Sequence, residues 1–140
     1  MTRNHVKHLM LASFLFSLSV FISCNKPVKD KIAGVWQIED IKFDADTSMY
    51  DTSELESVVS DQKSVKFELH PDMSLKIVTG SSTIEGTWSY NDKDQGVYVI
   101  MANSPDSVLM GTYKDGKLVN LDENPGLTIT TIFTKEKDLD

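Results

Sequence analysis

From residue 32 onward, apolar and polar side chains tend to alternate with a period of two. Val65, Phe67 and Leu69 fall on one side of an extended segment, with Lys66 and Glu68 on the other. Ile84, Gly86, Trp88 and Tyr90 oppose Thr83, Glu85, Thr87 and Ser89 in the same way. Leu127, Ile129 and Phe133 oppose Thr128, Thr130 and Thr134. Turn-forming residues punctuate these runs at regular intervals: Pro71-Asp72, Gly80-Ser81-Ser82, Asn91-Asp92, Pro105-Asp106, Asp115-Gly116 and Asn124-Pro125-Gly126. Asp115-Gly116 is a strong two-residue hairpin signal. The pattern predicts eight strands over residues 34–43, 64–70, 75–79, 83–90, 96–102, 107–114, 117–122 and 127–135. Seven of them follow one another through short turns, as in an antiparallel barrel or sandwich.

Two irregularities refine this reading. In the first strand Trp36 and Ile38 are in phase, but Ile41 and Phe43 are not. A slip of one residue predicts a bulge near Glu39 and Asp40. The long interval after that strand carries a helix signal. Ser53 with Glu56 forms a capping box, and Leu55, Val58 and Val59 follow at helical spacing. The expected helix spans about residues 54–60 and lies across one end of the sheet.

The N-terminus has a different grammar. Arg3 and Lys7 precede an uncharged stretch of 14 residues, 9–22. As a helix it would reach about 21 Å, short of a hydrocarbon core about 30 Å thick. It has the length of a signal-peptide core. Phe21-Ile22-Ser23-Cys24 then resembles the lipobox of bacterial lipoproteins, in which the cysteine is lipidated and becomes the mature N-terminus. That resemblance implies lipidation of Cys24 and attachment to a membrane through the lipid. No Asp follows Cys24, which in many Gram-negative lipoproteins implies the outer membrane. The expected organisation is a signal peptide over 1–23, a lipidated N-terminus and polar tether over 24–31, and a barrel domain over 32–140.

Composition matters mainly for what it removes. The chain has 140 residues, 21 acidic and 14 basic, with a net charge of −7. Cleavage before Cys24 leaves 117 residues at −9, with His70 as the single histidine and the one cysteine capped by lipid. An acidic surface disfavours nucleic acid as a partner. No zinc set of Cys and His remains, and a Ser–His–Asp triad could draw only on His70, which sits in an apparent turn. Asp44-Ala45-Asp46-Thr47-Ser48 begins like a calcium loop. It then places Met49 where an EF-hand needs Gly, and Leu55 where it needs Glu. Glu68 and Glu85, a conceivable carboxylate pair, fall on the outward phase of their strands. No catalytic residue, metal or cofactor is therefore expected.

Gly34-Val35-Trp36, Gly86-Thr87-Trp88 and Gly111-Thr112-Tyr113 share a Gly-x-aromatic pattern with both residues on one face. An inward glycine lets a neighbouring ring pack close and lets the strand coil. Ile32-Ala33-Gly34-Val35-Trp36 resembles the Gly-x-Trp opening of lipocalins, and the whole domain is similar to lipocalin-like domains of Bacteroidetes lipoproteins. The resemblance implies an eight-stranded up-and-down barrel. It also implies a basic side chain over Trp36 from near the last strand, with Lys135 and Lys137 as candidates in place of an arginine. An eight-stranded barrel is either filled by its own side chains or holds one small ligand. The expected inward set includes Trp36, Phe67, Trp88, Tyr90, Met101 and Tyr113. Two functions follow. One is a non-catalytic, lipid-anchored envelope module that binds a small apolar or amphipathic molecule. The other is an envelope interaction or inhibitor protein with a filled barrel, meeting a protein partner through the acidic segment 44–61 or its strand edges.

Overall fold

The computed structural model describes residues 26–139. Cys24 and the apolar leader lie outside the described residues. The elements are α1 (Val28–Ile32), β1 (Gly34–Ala45), α2 (Thr52–Gln62), β2 (Lys66–Leu69), β3 (Ser74–Thr79), β4 (Ser82–Asn91), β5 (Gly96–Met101), β6 (Ser107–Lys114), β7 (Lys117–Asn124) and β8 (Leu127–Lys137). The eight strands form a closed antiparallel barrel in simple sequence order, with β8 returning to β1. This is the predicted architecture, including the helix between the first two strands.

Register explains the irregular first strand. β1 pairs with β8 from Val35↔Lys137 to Ala45↔Leu127, and the register slips between Ile38 and Asp40. Glu39 is the extra residue, so the predicted bulge is present. It restores phase: Ile38 stands opposite Phe133, and Phe43 stands opposite Ile129 on the same inner face.

Side chains grade from dry to wet along the barrel axis. The end where β1 begins is the base, and the opposite end is the rim. Trp36, Leu69, Leu75, Val97 and Leu118 fill the base and are almost fully buried, with Ile32 closing it from below. Ile38, Ile77, Val99, Met110 and Phe133 form the next layer. Removing these apolar surfaces from water is the main stabilising term. Toward the rim, the inward residues Phe43, Ile129 and Leu127 are only partly buried.

The Gly-x-aromatic glycines work differently from the expectation. A Cβ on Gly86 would collide with the Ile100 carbonyl oxygen on β5, and one on Gly34 would lie 2.9 Å from the Lys135 side chain. The nearest atoms are neighbouring backbone and a lysine stem, not rings. The bare positions let adjacent strands close tightly, which a small barrel requires.

Helix and tether also differ from the sequence reading. α2 begins at Thr52, and Asp51 is its N-cap, accepting from the Ser53 amide at 2.8 Å. Ser53 is thus inside the helix and forms no capping box. Asp51 outcompetes it because its carboxylate also accepts from the Ser53 hydroxyl. None of the α2 side chains is fully buried. Within the segment read as a tether, α1 forms a short helix that delivers Ile32 to the base.

Candidate functional site

The six expected interior residues separate into two groups along the barrel axis. Trp36 is fully buried at the base. Its indole Nε1 donates to the Ile32 carbonyl oxygen at 2.8 Å. Tyr113 meets it edge-on, with ring centroids 6.3 Å apart. Trp88 is also buried and donates through Nε1 to the His70 carbonyl oxygen at 2.8 Å, while its backbone amide donates to Met73. Tyr90 lies on the same face of β4, nearer the base turn, opposite Val97. Burial of Tyr113 pushes its phenol above the usual value, with the Tyr90 phenol and Asp138 adding to the effect. These four aromatics are bound into the floor of the barrel.

Phe67 stands one layer up, edge-on to Phe133 at 5.5 Å. Met101 lies at the rim, half-buried, beside the shallow groove of about 620 Å³ between β4, β5 and the turn after β5, whose lining includes Gly86, Ile100 and Ser104. Of the six, only Trp36 and Trp88 are buried, and Met101 lies nearest the rim.

The basic residue that the resemblance placed over Trp36 is Lys135. Its Nζ sits 5.6 Å from the indole centroid. It donates to the carbonyl oxygens of Ala33 (3.0 Å) and Lys31, and to Asp138 at 2.8 Å. That hydrogen bond and the ammonium charge hold the Asp138 carboxyl below its usual range. The ammonium is thus satisfied on three sides and rests on an aromatic face. Lys137, the other candidate, pairs with Val35 at the strand end.

Strand pairing adds wall residues that alternation alone left unplaced. Leu118 pairs with Phe133, which puts Asn120, Asp122 and Asn124 on the inward face of β7, opposite Thr131, Ile129 and Leu127. Val119 and Leu121 then point outward and are exposed. The apolar signal in β7 points the wrong way at the rim, and only the long-range pairing corrects it. The upper wall is accordingly mixed: Phe43, Ile84, Met101, Leu127 and Ile129 are apolar, and Asn120, Asp122, Thr79 and Thr131 are polar. Such a wall matches a molecule with both apolar and hydrogen-bonding parts.

The remaining chemistry-bearing residues lie outside this wall. Glu68, Lys76 and Glu85 stand side by side on the outer face of β2, β3 and β4. His70 Nε2 lies 3.5 Å from a Glu68 carboxylate oxygen at the base. Asp46 accepts from the Ser48 hydroxyl and amide, which lowers its pKa, and Tyr50 ties this loop to the Pro125 carbonyl oxygen at 3.1 Å. Among the described residues, no three His, Cys, Asp or Glu side chains gather as a metal set.

No family model matches the chain, and no curated protein matches it. Among solved structures it is similar to a DUF4847 family protein from Bacteroides vulgatus. The two are 15% identical with a TM-score of 0.47, over 77% of this chain and 95% of the other.

Proposed function

We propose that this is a lipocalin-like lipoprotein of the cell envelope, anchored through Cys24 and facing the periplasm. Its barrel is a non-catalytic module that holds a small apolar or amphipathic ligand at the rim. One observation carries the reading: the buried Trp36, Trp88, Leu69, Leu75 and Leu118 fill the floor, while inward apolar residues at the rim keep partial contact with water. A barrel needing only a filled core would gain by covering Phe43 and Ile129, since burial of such side chains is worth about 2 kcal/mol each. Their partial exposure is what a docking wall for an apolar group requires. The leader, the lipobox-like residues and Cys24 support the envelope assignment.

Native mass spectrometry of the full chain, released from detergent micelles in the presence of dodecanoic acid, tests the site. A one-to-one complex is expected, lost in Ile129→Asp while the circular dichroism spectrum is retained. Absence of any complex, or a complex indifferent to that substitution, would reject a rim ligand. Palmitate labelling that persists in Cys24→Ser would reject the anchor.

A further inference from the structure

The barrel wall is zipped unevenly. β6 pairs with β7 only at Thr112↔Val119, Tyr113↔Leu118 and Lys114↔Lys117, next to the base. β7 nevertheless continues to Asn124, held by β8 alone, and β6 begins at Ser107, held by β5 alone. Among the described residues, 107–111 and 120–124 have no strand partner along their facing edges. One side chain partly fills the seam: the Asn120 amide donates to the Leu109 carbonyl oxygen at 2.8 Å, where a strand neighbour would otherwise donate. Unpaired strand edges are templates for another extended chain.

The surface around this seam is unusual in two further ways. Ile100, Leu109, Val119 and Leu121 lie on the outer face of β5, β6 or β7 and are exposed, Leu121 to 57%. Most of the other exposed large apolar side chains are scattered through α1, α2 and the loop after β1. Asp106, Asp122 and Glu123 border the same seam, and none of them makes an ion pair with a described lysine. Edge lysines, the usual protection against strand addition, are absent from 107–111 and 120–124.

We infer that the β6–β7 seam receives an extended segment of another protein, one that alternates apolar residues with Lys or Arg and pairs with the free β7 edge at 120–124. The backbone supplies the pairing groups. Val119 and Leu121 with Leu109 supply the apolar contact on the outer face, and Asp122, on the inner face of β7 between Asn120 and Asn124, selects for positive charge in the alternate side chains. A second copy of this chain is disfavoured as the occupant, because its own seam brings the same acids to the contact. The inference rests on the unpaired edge and not on the rim ligand, although Asp122 borders both.

The test uses the full chain in a zwitterionic detergent and a fluorescein-labelled ten-residue peptide of alternating Val and Lys. Saturable one-to-one binding by anisotropy is expected, with amide exchange at 107–110 and 120–124 slowed on binding. Affinity should fall at least about tenfold in Leu121→Lys, equivalent to about 1.4 kcal/mol, and an alternating Val–Glu peptide should not bind. Leu121 is outward and exposed, so this variant keeps its fold, which circular dichroism checks. Three results would overturn the inference: no saturable binding, binding that leaves the seam amides unprotected or Leu121→Lys unaffected, or self-association that protects the same amides without peptide.

Discussion

The Lys135 ammonium lies over the indole of Trp36, and the two residues hold the same short segment from opposite directions. Trp36 takes the Ile32 carbonyl through its Nε1, and Lys135 takes the carbonyls of Lys31 and Ala33. Three consecutive carbonyl groups at the end of α1 are thereby fixed under the barrel floor.

Lys135→Met should therefore cost more than a surface lysine. It loses the cation–aromatic contact, worth about 1 kcal/mol, and charge-assisted hydrogen bonds worth about 1.5–3 kcal/mol in total. A loss of about 2.5–4 kcal/mol is expected in urea denaturation followed by tryptophan emission. A change below about 0.5 kcal/mol, the level of an ordinary surface substitution, would show that Ile32 and Trp36 hold the base without it.

Gly86→Ala tests how tightly β4 and β5 close. The added methyl meets the Ile100 carbonyl, a backbone atom that cannot swing aside. Overpacking of this kind costs about 1–3 kcal/mol. Gly80→Ala is the contrasting control, because no atom lies within 4 Å of its added methyl. Its cost arises only from the positive φ of 55°. Equal thermal midpoints for Gly86→Ala and the parent would contradict the close approach.

Stability should be level across neutral pH and fall at both extremes. The Ser74 hydroxyl and amide hold Asp72 below the usual carboxylate value, and Tyr98 and the Gly96 amide do so for Asp94. Groups lowered in the folded state add stability above their unfolded pKa of about 3.9 and lose it as pH falls through the folded value. Tyr113 and Tyr98 are shifted upward, the first mainly by burial and the second mainly by its bond to Asp94. Their contribution is complete below the unfolded value of about 10 and is lost as pH rises through the folded one. Thermal midpoints measured from pH 3 to 11 should show this plateau. A peak confined to a narrow range near neutrality would contradict it.

The strand order and the bulge at Glu39 were legible because both are local. Turn residues mark each reversal, and the phase slip between Ile38 and Ile41 is written in adjacent positions. The floor was legible as well, since Trp36, Trp88 and Tyr113 each stand two residues after a glycine on the same face of a strand. The rim was not. Val119 and Leu121 carry the apolar signal in β7, yet the pairing of Leu118 with Tyr113 and Phe133 turns Asn120, Asp122 and Asn124 inward. That decision is made by residues far away in sequence. The helix start was missed for a smaller reason: Asp51 and Ser53 both suit an N-cap, and only the geometry shows the carboxylate capturing the serine.

Both ends of the described chain leave the barrel at its base. α1 runs directly into the start of β1, and β8 finishes beside it, with Lys135 bonded back to Lys31 and Ala33. In topological terms the sheet is a ring whose single covalent gap lies under the floor. Anything attached to either terminus, whether an acyl chain, a bead or a fused domain, stands on the plugged side. The rim then lies at the end of the barrel opposite the point of attachment, so a ligand of the kind proposed above would meet it from the bulk phase and not from the surface on which the protein is mounted.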